Sequence, residues 1–551
     1  MKQVRPYPQV IVTRKAARSL AAGHPWVYAG EVLDVFPAPT DGRAVANGDI
    51  VDVLEENGTW QGAGLISQES TIRVRIVTRN ANDRLDQAFW ARKLAWAWEH
   101  RRVTMGGRAL PSCESDTNCC RVLFSEADGF PGLVVDRYED ILVAQVGTVG
   151  MERLRPVLYP LLLQTLRATG EDVRWIYERN DGAFRDKEGL PRYKGWWTGD
   201  AKTDMAPATD GVTPPLTAAD AAPGSTRRII RENGILYDVD FEQSQKTGFF
   251  LDQKYNRRAV RELAAGRRVL DCCCHVGPFG RNAAAGGAAY VREVDVSQTA
   301  LDLAAENARL NHLEGRMVFT CADVLDYLPE LARDKRRLRE EGGPFDLIVL
   351  DPPAFTKSRN AVAHAAKGYR EINYQAMRLL PRGGYLATCS CSHFMTRDLL
   401  ARAIAEAAHD ANVQLKQVEE RQQAPDHPIL WGVPEGHYLD FFIFRVNFFP
   451  ARGSGRDGQH RRRRAADRSR QLHTHRLHHK HDDREYDHDD DRGPGQDVPD
   501  AAVGVAAHHV AVARDVDHAQ QQDGQQHAVD DLRDHHDADQ VRAGQQDDRG
   551  R

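Results

Sequence analysis

A chain of 551 residues with 41% hydrophobic content is long enough for several cores, and at ~150 residues per unit three or four are expected. It carries no apolar run of ~20 residues and no amino-terminal leader pattern, which argues against a membrane-spanning or exported protein. The net charge of -5 divides into 17 basic against 21 acidic residues over 451–551 and a near-neutral body, a balance that neither demands nor excludes nucleic acid.

The nine cysteines are clustered and odd in number, so a reduced, cytoplasmic protein is expected rather than a disulfide framework. Residues 1–80 alternate short apolar runs with turns (Val10–Thr13, Val27–Tyr28, Ile50–Val53, Gly62–Ile66, Ile72–Val77) around one helix, Lys15–Ala22, and read as a small β-barrel-like module. The last strand alternates with period two, putting Arg73 and Arg75 on one face. With Arg14, Lys15 and Arg18 these arginines form a candidate phosphate-contacting face, set against a plain solvated surface.

A middle α+β unit is expected over 83–197. Asp83–Arg102 reads as an amphipathic helix with Phe89, Trp90, Leu94, Trp96 and Trp98 as its apolar residues, and Met151–Thr169 as another. Glu126–Tyr138 contains two turns around a strand, and Trp175–Asp181 is a further strand. Cys113-x5-Cys119-Cys120 lacks a second cysteine or histidine pair, so no metal site is expected. Residues 198–228 form a loop or linker rich in Ala, Thr, Asp, Pro and Gly.

From 229 to 449 apolar strands and helical patterns alternate. Strands end at Leu270, Asp295, Thr320, Leu350 and Thr388. Helices are read from Phe279, over Gln298–Asn311, near Val324–Glu340, and over Gly368–Leu380 and Thr396–Ala411, before an aromatic strand Asp440–Phe448. That pattern predicts a doubly wound α/β sheet with its ligand at the carboxyl ends of the strands. Residues 451–551, rich in Arg, His, Asp and Gln with Tyr486 the one aromatic, read as a disordered tail or an out-of-frame extension and are given no function.

Chemistry concentrates at strand ends. Arg268–Gly280 runs from a strand into a tight turn with Gly277 and Gly280, then a helix, which is how α/β domains bring backbone N–H groups to a nucleotide-like ligand. The dehydrogenase fingerprint G-x-G-x-x-G is not met, which disfavours a nicotinamide enzyme. Asp295 ends the next strand, where a carboxylate can accept ribose hydroxyls; Asp323 and Asp351 follow the next two. The fifth strand ends Ala387-Thr-Cys-Ser-Cys-Ser-His-Phe394. A cysteine there has a specific use, because carbon 5 of cytosine becomes nucleophilic once a thiolate has added to carbon 6.

This order of sites resembles the class I S-adenosylmethionine methyltransferases. The resemblance implies that the turn of Asp271, Gly277 and Phe279 holds the methionine end, Asp295 the ribose and Asp323 the adenine amine, with Asp351 and Pro352 at the reacting methyl. Residues 1 to about 448 are similar to the RlmI-type large-subunit ribosomal RNA 5-methylcytosine methyltransferases. The motifs that carry this are His24-Pro-Trp-Val-Tyr28, Glu126–Leu133, Asp136-Arg-Tyr138, Glu178–Asp181, Lys187-Glu-Gly189, Lys246-Thr-Gly-Phe-Phe-Leu-Asp-Gln253, Asp351-Pro-Pro-Ala-Phe355 and Ser390-Cys-Ser392. The family likeness implies a PUA-type RNA-binding barrel with Trp26 in its motif, Phe250 and Asp252 at the cofactor, and Cys391 rather than Cys389 as nucleophile. It also implies ribosomal RNA as partner and makes a homodimer an expectation.

The chain departs from the family twice. His275-Val-Gly-Pro-Phe279 replaces Tyr-Thr-Gly-Gly-Phe, and Pro278 at a first helical position removes one N–H from the turn. Ala354 stands where other RNA 5-methylcytosine enzymes carry a second cysteine, so the base that removes the carbon 5 proton is open between Asp351 and water. Amine or purine methylation and a non-catalytic RNA-binding role are the alternatives.

Overall fold

The computed structural model describes residues 5–105, 116–199, 224–244, 246–356 and 361–448. The expected tail, most of the 198–228 linker and Cys113 lie outside the described residues.

The first unit contains β1 (Gln9–Val12), α1 (Arg14–Ala21), β2 (Trp26–Tyr28), β3 (Val32–Phe36), β4 (Ile50–Glu55), β5 (Trp60–Ile66) and β6 (Ile72–Thr78), in one six-stranded sheet of order β2-β6-β5-β4-β1-β3. Thr13 caps α1 by accepting the Ala16 N–H, and Ala16 and Leu20 bury its apolar side with Val10, Val53 and Val74. The sequence reading missed β3, an edge strand whose side chains are mostly exposed.

The middle unit is α2 (Gln87–Thr104), β7 (Cys119–Phe124), α3 (Ser125–Asp128), β8 (Leu133–Tyr138), β9 (Ile141–Val146), α4 (Val149–Arg167), β10 (Trp175–Asn180) and β11 (Tyr193–Trp196), with sheet order β11-β10-β9-β8-β7. α2 and α4 cover one face, burying Phe89, Trp90, Leu94 and Trp98. Trp96, expected on that apolar face, is instead 63% exposed, because helical periodicity turns it to the side of α2 away from Trp90, Leu94 and Ala97.

The opposite face takes the hairpin β12 (Arg227–Glu232) and β13 (Ile235–Asp240), whose Ile230, Tyr237 and Val239 pack with Tyr138, Val143 and Tyr177. The third unit is α5 (Lys254–Leu263), β14 (Arg268–Cys272), α6 (Pro278–Ala285), β15 (Tyr290–Asp295), α7 (Gln298–Leu310), β16 (Met317–Cys321), α8 (Val324–Arg333), α9 (Lys335–Glu340), β17 (Leu347–Leu350), α10 (Val362–Leu379), β18 (Tyr385–Ser390), α11 (Arg397–Asp410), β19 (Val413–Gln422) and β20 (Asp440–Phe448). Its seven strands run β16-β15-β14-β17-β18-β20-β19, parallel through β18, with β20 antiparallel to both of its neighbours, β18 and β19.

The single helix expected over 324–340 is two, because Asp334 leaves helical geometry and caps α9 by accepting the Arg336 and Arg337 N–H groups. β19 escaped sequence reading because this outer strand is nearly all polar and shows no apolar run. The chain leaves β14 toward β15 and β16, then crosses back to β17 on the other side. That reversal opens a crevice at the carboxyl ends of β14 and β17, where open α/β sheets bind ligands. Among the described residues no helix is long and apolar enough to cross a membrane.

Candidate active site

The turn after β14 is held open from below. Cys273, His275 and Gly277 all have positive φ, at 57°, 52° and 72°. Gly277 is required, because a Cβ there would collide with the Glu293 carboxyl in addition to adopting a left-handed backbone. Pro278 starts α6 at its first position, where a missing N–H costs no helical bond. Asp271 is fully buried and accepts the Gly280 N–H at 2.8 Å, tying the helix start to the strand end. Its side chain therefore props the turn from beneath. Phe279 is also turned inward: its ring stacks on Phe441 at 5.9 Å and is buried.

Asp295, half-buried at the end of β15, accepts the His275 N–H at 2.8 Å and the Ser297 N–H at 2.9 Å. A carboxylate has about four acceptor positions, so lone pairs remain for hydroxyl donors. Asp323 is exposed and caps α8 through the Leu325 N–H at 2.8 Å. Asp351 follows β17, and Pro352 beside it is buried. The Asp351 carboxylate accepts from Gln253 Nε2 at 3.3 and 3.4 Å and from the Cys389 thiol at 2.9 Å.

Gln253 was visible only as the last residue of a motif, without a role; its Oε1 accepts from Asn256 Nδ2 at 2.6 Å, which sets the amide's orientation. Cys389 is buried, and burial, then the Asp351 carboxylate, pushes its thiol far above the ordinary value. Cys391, two residues on and past the end of β18, is half-buried. The strand end thus separates an enclosed thiol that donates to Asp351 from a partly exposed one just beyond it.

Phe250 meets the His275 ring edge-on at 5.4 Å and carries the Lys246 ammonium 4.7 Å from its centroid. Asp252 is buried and accepts from the Tyr438 hydroxyl at 3.0 Å. Burial lowers the His275 pKa to about 4, so the ring is neutral at physiological pH. Its Nδ1 is buried without a hydrogen-bond partner among the described residues.

Glu293 was not foreseen. It lies in the middle of β15, fully buried beneath Gly277 and Gly280, and neither carboxyl oxygen has a hydrogen-bond partner among the described residues. Burial raises its pKa well above the ordinary value, and raises that of Asp271 to about 8. Both groups take up protons in the folded state, so they cost stability as pH rises above the unfolded carboxylate range. Glu293→Gln is accordingly expected to leave the melting temperature unchanged at pH 5 and to raise it by about 3 °C or more at pH 9, read by calorimetry. An equal shift at both pH values would show that Glu293 is not held protonated.

The candidate RNA residues separate. Arg14, Lys15 and Arg18 are exposed on α1, with Lys15 Nζ 3.8 Å from Glu31. Arg73 donates to the Ser67 carbonyl at 2.9 Å and to that of Gln68. Arg75 does not belong to a solvated face: it is buried against Glu188 at 2.8 Å, because the middle unit covers that side of β6. Trp26 is likewise buried, its Nε1–H donating to Glu126 at 3.0 Å across the boundary between barrel and middle unit. Among the described residues no group of three His, Cys, Asp or Glu is disposed to hold a metal.

The family model of S-adenosylmethionine-dependent methyltransferases matches residues 218–437, and that of PUA-like domains residues 10–79. Fold, glycine turn and family model together define an S-adenosylmethionine-dependent methyltransferase carrying a PUA-like domain. The chain is 38% identical over 430 residues to ribosomal RNA large subunit methyltransferase I of Shewanella denitrificans, covering 78% of this chain and 97% of that one. It is 35% identical over 444 residues to the protein of the same name from Serratia proteamaculans, covering 80% and 99%. It belongs to the ribosomal RNA large subunit methyltransferase I family.

A Streptococcus mutans protein assigned as a SAM-dependent methyltransferase shares the fold, with a TM-score of 0.59 at 19% identity over 80% of this chain and all of that one. A second solved methyltransferase, complexed with SAH, gives a TM-score of 0.61 at 19% identity over the same shares.

Proposed function

We propose that this chain methylates carbon 5 of a cytosine in large-subunit ribosomal RNA through a covalent adduct of Cys391. The membership of the family supports the RNA class, and the observation that carries the chemistry is the pair of thiols on one strand end. Cys389 is buried and donates to Asp351, whereas Cys391, just past the end of β18, is half-buried.

The residues present suit S-adenosylmethionine. Gly277 leaves no room for a side chain, Asp295 ends β15 and Asp323 follows β16 as the cap of α8, and His275 Nδ1 is a buried acceptor or donor without a partner among the described residues. Asp295 and Asp323 would hold the nucleoside and the His275–Gly277 turn the methionine end. The cofactor, when bound, supplies an electrophilic methyl carbon.

Cys391, as thiolate, adds to carbon 6 of the cytosine ring, and the displaced electron pair makes carbon 5 nucleophilic. After carbon 5 has taken the methyl group, a base removes its proton and the electrons expel the thiolate, restoring the aromatic ring and Cys391. Asp351 is the candidate to hold the base by accepting from its exocyclic amine, with its carboxylate oriented by Gln253 and Cys389. Arg14, Lys15 and Arg18 on α1 are the proposed phosphate contacts of the PUA-like domain.

The test is incubation of the full chain with methyl-labelled S-adenosylmethionine and an unmodified large-subunit ribosomal RNA transcript, followed by nucleoside analysis. Label is expected in 5-methylcytidine. Label in a methylated amine or purine would replace this reading with the alternative chemistry.

A further inference from the structure

A cleft lies where the middle unit faces the methyltransferase unit. Its floor is a row of one sheet face. Phe124 on β7 pairs with Val134 on β8, and Val134 pairs with Gln145 on β9, so the three side chains stand side by side. Phe250 and Tyr438 of the methyltransferase unit form the opposite wall, and the Lys246 ammonium lies over the Phe250 ring. Val134 and Gln145 are half-buried, and the Gln145 amide has no hydrogen-bond partner among the described residues.

Asp351, Pro352 and Cys391 do not border this space, and neither do Gly277, Asp295 or Asp323, whereas Phe250 and Asp252, which the family likeness sets at the cofactor, lie on its methyltransferase side. It is nevertheless one residue from the chemistry: Asp252 borders the cleft, and the next residue, Gln253, bonds to Asp351 and Cys389. Phe124 itself is enclosed by Arg121, His427 and Tyr438, and the Phe250 ring, the Gln145 amide and the Lys246 cation are the groups an unstacked nucleotide would use. The ring stacks on the base, the amide reads its edge, and the ammonium meets a phosphate.

We propose that this cleft binds an unstacked nucleotide of the RNA substrate next to the target cytosine, with Val134 and Gln145 as its floor and Phe250 opposite. The inference rests on the RNA methyltransferase reading above and adds a second base-holding site to it. It gives the middle unit a part in substrate recognition, alongside the PUA-like domain.

Val134→Trp fills the cleft from its floor, and Gln145→Glu sets a negative charge where the RNA strand would pass. With the unmodified large-subunit transcript, each is expected to raise the RNA KM about tenfold, the loss that follows when one stacked base is displaced. Retention of the transcript on filters falls in parallel, while S-adenosylmethionine affinity and melting temperature stay at wild-type values. Wild-type KM and retention in both variants would overturn the proposal. Should Val134→Trp melt early, Gln145→Glu, a change at a half-exposed position, decides alone. If the wild-type chain transfers no label at all, the methyl-transfer reading fails, and the cleft is judged on transcript retention by the same variants, where equal retention overturns it.

Discussion

Cys391→Ala is expected to abolish methyl transfer to the ribosomal RNA transcript, by about 10⁴-fold or more, while S-adenosylmethionine binding is unchanged. Cys389→Ser is expected to keep activity within about tenfold, because its hydroxyl still donates to Asp351. The contrast follows from burial. Cys389 is enclosed and beside a carboxylate, both of which disfavour a thiolate, so it is poorly suited to attack. Cys391, just past the same strand end, is only half-buried. Single-turnover assays with labelled cofactor read the effect directly. Survival of the label in Cys391→Ala would eliminate the adduct, since methylation of an exocyclic amine needs no thiol.

The second large effect is structural. Lys254→Met is expected to destabilise the protein by about 3–5 kcal/mol, the range found when one member of a buried ion pair is removed. Lys254 Nζ lies 2.8 Å from Asp426, both fully buried, and also donates to the Cys119 carbonyl at 3.0 Å. Asp426 in turn accepts the Arg121 N–H at 3.1 Å and pairs with His427 at 2.9 Å. This cluster joins α5 of the methyltransferase unit to β7 of the middle unit and to the loop before β20, so its loss loosens the wall of the crevice.

Burial alone would raise the Asp426 pKa. The Lys254 ammonium and His427 outweigh burial and hold it far below the usual carboxylate range. A depressed carboxylate contributes stability that is fully present above the unfolded value of about 4 and lost as pH falls below it. The Lys254→Met deficit should therefore be large at pH 7 and shrink in acid. Scanning calorimetry at pH 7 should show a drop of about 10 °C, and Lys254→Met with Asp426→Leu should recover most of it, because no buried charge is then left unpaired. No recovery in the double variant would show that the packing of the lysine stem, not the charge, is what matters.

What the sequence determined by itself was the sheet and its strand ends. Buried parallel strands read as apolar runs, so the polar residues that follow them are visible, and Asp295, Asp323 and Asp351 stand out that way, whereas the choice of Cys391 over Cys389 came from the family likeness. Tertiary structure decided which of those residues face the crevice and which are enclosed. Alternation correctly gave Arg75 a face, but only the packing of Glu188 against it made that face an interior one. Phe279 looked like part of the glycine turn, yet it stacks on Phe441 from a strand more than 150 residues later. Glu293 reads as an ordinary strand residue until the turn of Gly277 is laid over it, and the difference between Cys389 and Cys391 exists only once Gln253 and Asp351 close around one of them. Periodicity records which residues share a face; burial and charge depend on what distant chain covers that face, and this is set by packing alone.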